Sequence, residues 1–203
     1  MKSSRWKLIL LLILFIPGFA RGATHSLFLK YQPMKNFTSL QEKIGTNLGM
    51  APFKDERSET LYIGVHMPLL GSSNYFKSDP FPLEKAIKES LSGPLSRNGI
   101  KTVSISDWDG KPESLKDMET DSVLMIQIKK FWIEGRAAPF RTYAQTSIRL
   151  VIHLGVKKEA KVFTKNVEVE KEVTLPRLTP EGMEATLNGI LTEIFDSFFS
   201  KPY

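Results

Sequence analysis

The chain contains no cysteine among its 203 residues, and histidine is almost as scarce. Disulfides, thiolate nucleophiles and cysteine-based zinc sites are therefore excluded. The three histidines, His25, His66 and His153, never stand at the His-x-His or His-x-x-x-His spacing typical of metal ligands. Nucleophile-elbow, phosphate-loop and dinucleotide-binding motifs are absent as well. The sequence thus predicts a non-enzymatic protein with no metal and no cofactor.

Long hydrophobic runs are also absent, since the longest is the nine-residue stretch Leu8–Ile16. A membrane-spanning helix needs about 20 apolar residues. Basic residues precede the run and small residues follow it, a pattern typical of a secretory signal peptide. We predict a signal peptide over residues 1–22, cleaved between Gly22 and Ala23, and a single periplasmic domain over residues 23–203. With no cysteine to carry a lipid, the protein is expected to be periplasmic or exported, with peripheral association at the outer membrane left open.

A strong excess of positive charge is missing from the predicted mature domain. The full chain has 28 basic and 22 acidic residues, but residues 1–22 hold four of the basic residues and no acid. The remainder has 24 basic and 22 acidic residues, a net charge of +2. Nucleic-acid binding requires cations clustered on one face, so no nucleic-acid partner is predicted.

The pattern of apolar residues predicts an α/β (α+β) fold with a mainly antiparallel sheet. Alternation of apolar and polar residues indicates these strands: Ser26–Tyr31, Leu48–Lys54, Thr60–Met67, Lys101–Ser106, Ser122–Ile133, Arg141–Val156 and Lys161–Thr174. One helix is predicted from Pro80, capped by Asp79, to Asn98-Gly99, with a kink or break at Pro94. A second is predicted from Pro180, capped by Thr179. Both are amphipathic and are expected to pack on one face of the sheet as a two-layer sandwich.

Two aromatic segments do not fit this pattern and are candidate partner-binding sites. Pro68–Pro82 reads as a long irregular loop that carries Tyr75, Phe76 and Phe81, aromatic residues suited to contacts. The alternative is that these rings fold back as a lid over the sheet edge. The second segment contains Trp132 and Arg136, where the strand pattern breaks before Arg141. It is predicted to be a partner surface or a bulged hairpin corner.

The order of these elements resembles that of a known group of proteins. A predicted signal peptide is followed by Ala51-Pro52-Phe53, Asp55-x-Arg57, Tyr62-Ile63-Gly64 and a helix ending in Leu95-Ser96-Arg97-Asn98-Gly99-Ile100. This arrangement is similar to the YajG-type bacterial envelope lipoproteins and, more loosely, to the auxiliary lipoproteins of ABC-type lipid transport systems. The resemblance covers about residues 44–199. It implies a small α/β domain without catalytic residues that serves an envelope or transport complex. Those proteins carry a lipid-modified cysteine, which this chain lacks.

Three functions remain open at this point. The first hypothesis is a non-enzymatic accessory domain that binds an envelope protein partner. The second is a carrier of a lipid or small ligand, with a cavity between the sheet and the helix Thr179–Ser200. The third is a hydrolase that uses Asp55 or Asp107 with His66, which requires side chains from separate segments to converge.

Overall fold

The computed structural model describes residues 22–34, 37 and 39–202 of the chain, so the predicted signal peptide lies outside the described residues except for Gly22. The strands are β1 (Thr24–Phe28), β2 (Asn47–Met50), β3 (Lys54–Asp55), β4 (Gly64–Met67), β5 (Asn74–Asp79), β6 (Lys101–Ser104), β7 (Ser122–Ala138), β8 (Arg141–Val156) and β9 (Lys161–Leu175). The α-helices are α1 (Leu40–Ile44), α2 (Leu83–Arg97) and α3 (Pro180–Ser200). Two short 3₁₀ turns, Glu113–Asp117 and Lys157–Glu159, complete the described structure.

The long strand β7 organises the sheet. One of its edges pairs antiparallel with β8, which in turn pairs antiparallel with β9. Its other edge pairs in parallel with three short strands in succession, namely β2, β3 and β4. Strand β6 lies beyond β2, while β5 and then β1 lie beyond β4. The predicted α+β class is confirmed, and the sheet is mixed because the short strands run parallel to β7 while the longest ladders are antiparallel.

The β7–β8 ladder defines two ends of the sheet. It runs from the pair Ser122–Val156, at what we call the proximal end, to the pair Ala138–Arg141, at the distal end. The long β8–β9 hairpin appears nearly as predicted, with Val167, Val169 and Val173 packed against the core. A two-residue turn, Pro139-Phe140, joins β7 to β8 at the distal end.

All three helices contribute to the main core on one face of the sheet. Buried side chains of β7 and β8 pack there against the apolar sides of α1, α2 and α3. On the opposite face, Trp108 and Leu115 from the segment after β6 cover Ala51, Val123 and Met125 of the proximal half. Gly155 of β8 makes this cover possible, because a Cβ there would lie 2.5 Å from Leu115 and 2.8 Å from the Trp108 ring. Among the described residues, this second cluster does not extend to the helix-free face of the distal half.

Helix α3 begins as predicted. The Thr179 hydroxyl accepts a hydrogen bond from the amide of Gly182 at 3.1 Å, and Pro180 occupies the first turn. The helix contacts two outer strands of the sheet. Glu184 accepts a hydrogen bond from the amide of Phe28 in β1, and Glu193 pairs with Lys171 of β9. Helix α3 therefore reaches from β1 to β9 across one face of the sheet.

Helix α2 differs from its prediction at the start and near the end. It begins at Leu83 rather than Pro80, because Asp79 belongs to β5 and the chain turns through Pro80 and Pro82. The predicted break at Pro94 is wrong, since the helix continues to Arg97. Pro94 lies in the last turn of the helix, where the only backbone hydrogen bond lost to the missing amide is the one to the Ser90 carbonyl. The predicted end is confirmed, with Gly99 in the left-handed region at φ 72°.

Two predicted irregular segments are strands. Residues 74–79 of the predicted loop form β5, which lies between β1 and β4. Strand β7 continues to Ala138, so the hairpin corner predicted in this segment is confined to Pro139-Phe140. The irregularity of the strand lies earlier, between Ile128 and Lys130. The glycine, serine and proline residues around β5 obscure the alternation of apolar and polar residues that would predict a strand. The hydrogen bonds that keep β5 extended come from β1 and β4.

A buried ion pair fills the gap between β3 and β4 along β7. The Arg57 guanidinium binds both carboxylate oxygens of Asp55, at 2.8 and 2.7 Å. It also donates to the backbone carbonyls of Phe131, Tyr62 and Thr60. Strand β3 pairs with β7 only as far as Ile128 of β7, and the pairing of β4 with β7 begins at Ile133 of β7. The guanidinium thus binds the Phe131 carbonyl, at a position of β7 that pairs with neither β3 nor β4.

Candidate partner-binding surface

Three of the predicted site residues share one face of the distal sheet. Trp132 and Arg136 alternate with buried residues of β7 and therefore lie on its helix-free side. Tyr75 pairs with Val65, which pairs with Glu134, and directly paired residues point to the same face. We call this helix-free face of the distal half, from Tyr75 across to β9, the uncovered face.

Aromatic and cationic groups meet at the β5 side of the uncovered face. The rings of Tyr62 and Tyr75 lie 4.7 Å apart between centroids, and the Lys77 ammonium lies 5.5 Å from the Tyr62 ring. Tyr75 stays 39 % exposed. Paired tyrosines beside a cation offer a large contact area at low entropic cost, and such groups are common in protein interfaces.

Trp132 and Arg136 line two shallow clefts farther across the uncovered face. A cleft of about 260 Å³ is bounded by Trp132, Lys130 and Glu59. A second, of about 240 Å³, is bounded by Arg136, Tyr143 and Glu172. Arg136 forms an ion pair with Glu134, and its side chain is 70 % exposed. The face therefore presents apolar rings between charged groups of both signs, as a solvent-accessible contact surface does.

Phe76 and Phe81 do not belong to this surface. Phe76 is 2 % exposed in the core and stacks on His25, with ring centroids 5.8 Å apart, so its prediction as a contact residue is corrected. Alternation along β5 places it opposite Tyr75. Phe81 is half-exposed but follows β5 at the far end of that strand from the distal turns. Neither ring forms the predicted lid over a sheet edge together with Tyr75.

The two most exposed large apolar side chains of the described residues, Phe140 and Leu70, lie at the distal end, and sequence reasoning missed them. Leu69 and Leu70 occupy the turn between β4 and β5, and Leu70 is 90 % exposed. Phe140, in the β7–β8 turn, is fully exposed and has φ 67°. Met67 pairs with Arg136, so both turns lie at one end of the sheet. The signal that was available is the pair Pro139-Phe140 between two alternating strands, a position where glycine or asparagine is usual.

The predicted hydrolase residues do not converge. Asp55 pairs with Ile128 of β7 and forms an ion pair with Arg57. His66 pairs with Gly135, seven positions farther along β7. Seven positions along a strand correspond to about 20 Å. Asp107 follows β6, which lies at the proximal end. Across the described ranges, no three histidine, aspartate or glutamate side chains are grouped so that they could hold a metal ion.

The interface predicted to hold a carrier cavity is filled with aromatic rings. Phe195, Phe198 and Phe199 of α3 are buried, and their ring centroids lie 5.2–6.2 Å from each other or from Tyr31 and Phe37. Burial raises the pKa of the Tyr31 phenol, and its hydrogen bond to Asp196 at 2.8 Å adds to the effect. These are the contacts of a packed core, so this interface gives the carrier hypothesis no support.

Comparison with known proteins identifies the fold. No family model matches the chain, and no curated protein matches it. The structure is similar to protein XCC0632 from Xanthomonas campestris, described under family-model DUF330, with 13% identity, coverage of 88% of this chain and 93% of that chain, and a TM-score of 0.57. Lipoprotein GNA1162 from Neisseria meningitidis matches with 11% identity, coverage of 75% and 99%, and a TM-score of 0.41. The C-terminal domain of LpoB from Salmonella enterica matches with 9% identity, coverage of 67% and 93%, and a TM-score of 0.30.

At 13% identity, the likeness to XCC0632 shows a shared fold over most of both chains. Over residues 22–34, 37 and 39–202, no helix combines the length and apolar character needed to cross a membrane.

Proposed function

We propose that this chain is an exported, non-enzymatic accessory domain of the bacterial envelope that binds a protein partner through its distal end and uncovered face. The predicted signal peptide supports export to the periplasm. The resemblance to YajG-type proteins supports a place among envelope proteins, and the fold shared with XCC0632 agrees with the α/β domain that the resemblance implies. The arrangement of Tyr75, Trp132 and Arg136 on one face supports a contact surface.

The observation that carries the proposal is the state of Phe140. Its phenyl group is fully exposed, so it adds nothing to the core. Its backbone, at φ 67°, lies in the left-handed region, which costs a non-glycine residue roughly 1–2 kcal/mol. A two-residue hairpin turn would be more stable with glycine here. Phe140 gives the fold no buried apolar area and places strain on the backbone, so its ring is better suited to burial against a partner than to stabilising the domain.

The test is Phe140→Gly. Glycine removes the ring and relieves the left-handed strain, so the variant should be as stable as the wild type or slightly more stable in urea. Capture of the partner should fall at the same time. A photo-reactive amino acid at Phe140 or Leu70, introduced in the source cells, should cross-link one envelope protein. The same amino acid at Val103, 36% exposed on β6 at the proximal end, is the matched control.

Opposite changes in stability and capture are the decisive result, because a merely structural role would change both in the same direction. Equal cross-linking from Phe140 and Val103, or a Phe140→Gly variant that captures the partner as well as the wild type, would refute the proposal.

A further inference from the structure

The chain continues as an extended segment after β1, whereas the neighbouring strand β5 ends at Asp79. Strand β1 pairs with β5 as far as the pair Phe28–Asp79. Beyond Asp79 the chain turns through Pro80 and Pro82, and no later residue of this segment pairs with the β1 side. Residues 29–32 of the segment therefore extend past the end of β5, with no strand beside them on that side.

The opposite side of this segment is fully occupied by α3. Four side chains, one helical turn apart, accept the amides of alternate residues: Glu184 from Phe28, Asn188 from Lys30, Thr192 from Gln32 and Asp196 from Met34. Four residues of a helix rise about 6 Å and two residues of a strand span about 6.6 Å, so the two repeats match. The polar side chains of α3 thus take the place of a neighbouring strand.

The side that faces away from α3 is open. The Ala23 carbonyl accepts from the Tyr75 amide, so the odd-numbered residues of this strand direct their backbone groups toward β5 and its continuation. Among the described residues, the Leu29 carbonyl and the amide and carbonyl of Tyr31 have no hydrogen-bond partner. The edge ends at Pro33, which has no amide hydrogen.

A cleft of about 380 Å³ lies against this open edge. One wall is the segment from Phe28 to Gln32, and the other is α2. The helix lines the cleft with the small residues Ala86, Ser90 and Gly93 and with Glu89, Pro94 and Arg97. Pro94 cannot donate to the Ser90 carbonyl, so that carbonyl lacks its helical partner as well. Both walls therefore contribute backbone acceptors, and the tyrosine amide contributes a donor.

We propose that this cleft binds an extended peptide segment of a partner protein, which adds as a strand to Leu29–Tyr31 along the line that β5 vacates. Only an extended backbone supplies donors and acceptors at the spacing of the open edge. Helix α2 bounds the far side, so the cleft admits one strand and not the edge of a second sheet. The larger cleft of about 570 Å³ between the segment and α3 is a poorer candidate, because its backbone groups already have partners. This site is separate from the distal end and does not depend on the function proposed for it.

Two glycines provide a matched pair of blocking variants. A Cβ built at Gly93, in the cleft, meets no atom within 4 Å, and the same holds for Gly189, which lines the cleft beside α3. Gly93→Trp should fill the proposed site, and Gly189→Trp should fill the other cleft, each with free space at the new Cβ atom. Gly93→Ala leaves the site open and strengthens the helix, so it controls for the change of backbone.

The probe is a displayed library of random 12-residue peptides, selected on the wild-type protein and measured as labelled synthetic peptides by fluorescence anisotropy. We expect wild type, Gly93→Ala and Gly189→Trp to bind alike and Gly93→Trp to bind at least about tenfold more weakly, a difference of roughly 1.4 kcal/mol. N-methylation of the peptide should weaken binding at alternate positions only, because a strand turns every second amide toward its neighbour. In the wild-type protein, the Tyr31 amide should exchange more slowly when peptide is bound.

Several results would overturn the inference. They are failure to select any peptide, equal binding by Gly93→Trp, N-methylation that acts without alternation, and no protection of the Tyr31 amide. Self-association that Gly93→Trp abolishes would also overturn it, because the occupant would then be a second copy of this chain. The amide measurement uses the unchanged protein, so a variant that fails to fold does not decide the result. Phe140→Gly leaves this cleft intact, so the two proposals fail separately.

Discussion

Replacing Arg57 with methionine tests whether the buried ion pair stabilises the sheet. The side chains of Arg57 and Asp55 are only 5% and 8% exposed. Methionine retains much of the volume but leaves the Asp55 carboxylate buried without its partner, and it frees the Phe131 carbonyl that the guanidinium binds. Removing one partner of a buried pair costs about 3–5 kcal/mol.

The neighbouring pair Lys129–Glu56 supplies the control. Its side chains are 36% and 42% exposed, and exposed pairs contribute about 0–1 kcal/mol. We therefore expect Lys129→Met to change the free energy of unfolding by less than about 1 kcal/mol. The two ion pairs differ in burial, but both adjoin residues 129–131 of β7, since Lys129 belongs to this strand and Arg57 binds its Phe131 carbonyl.

Urea unfolding followed by circular dichroism measures both changes, with the slope m checked for a change in the unfolded state. In a domain of this size, a loss of 3–5 kcal/mol lowers the melting temperature by about 6–20 °C. The double variant Asp55→Asn/Arg57→Met should recover part of the loss, because no charge then stays buried. A loss below about 1 kcal/mol for Arg57→Met would refute the reasoning, since it would mean that water replaces the guanidinium at no cost.

Two further variants test other contacts. Tyr31→Phe removes the hydrogen bond to Asp196, a bond to a charged group, and should lower the free energy of unfolding by about 1.5–3 kcal/mol in the same urea assay; an unchanged midpoint would contradict the packing described for α3. Burial lowers the pKa of His66 below its usual value, so protons bind more readily to the unfolded state. The stability from neutral His66 is complete above about pH 6.5 and is lost as the pH falls below that value. Urea midpoints at pH 7.5 and 5.5 should differ less in His66→Phe than in the wild type, and an equal difference would show that other groups control this pH range.

Local sequence patterns determined the elements that need little help from the rest of the chain. The bounds of β8 agree with the prediction because Ile148, Leu150, Ile152, Leu154 and Val156 place an apolar residue at every second position. The start of α3 follows from Thr179 and Pro180, which fix the cap and the first turn within a few residues. Short-range physics is sufficient in both cases, since period and capping act between residues close in sequence.

The candidate sites depended on tertiary structure. Trp132 and Arg136 were identified from a break in pattern that is not a break in the strand, and only the register with β4 places Tyr75 on the same face. Phe140 could not be distinguished from a buried phenylalanine by sequence alone, because exposure depends on what packs against a turn. Its neighbouring turn, with Leu70, is brought to it by the parallel pairing of β4 with β7.

Composition and short periodic patterns carry enough information to predict export and to identify the α+β class, the strongest strands and the last helix. Which strand lies beside which follows from the tertiary structure. Strand β5 forms only because β1 and β4 supply its hydrogen bonds, and the open edge at Leu29–Tyr31 exists only because β5 ends first. Pairing between segments distant in sequence is set by the packing of the whole sheet, and no local pattern encodes it.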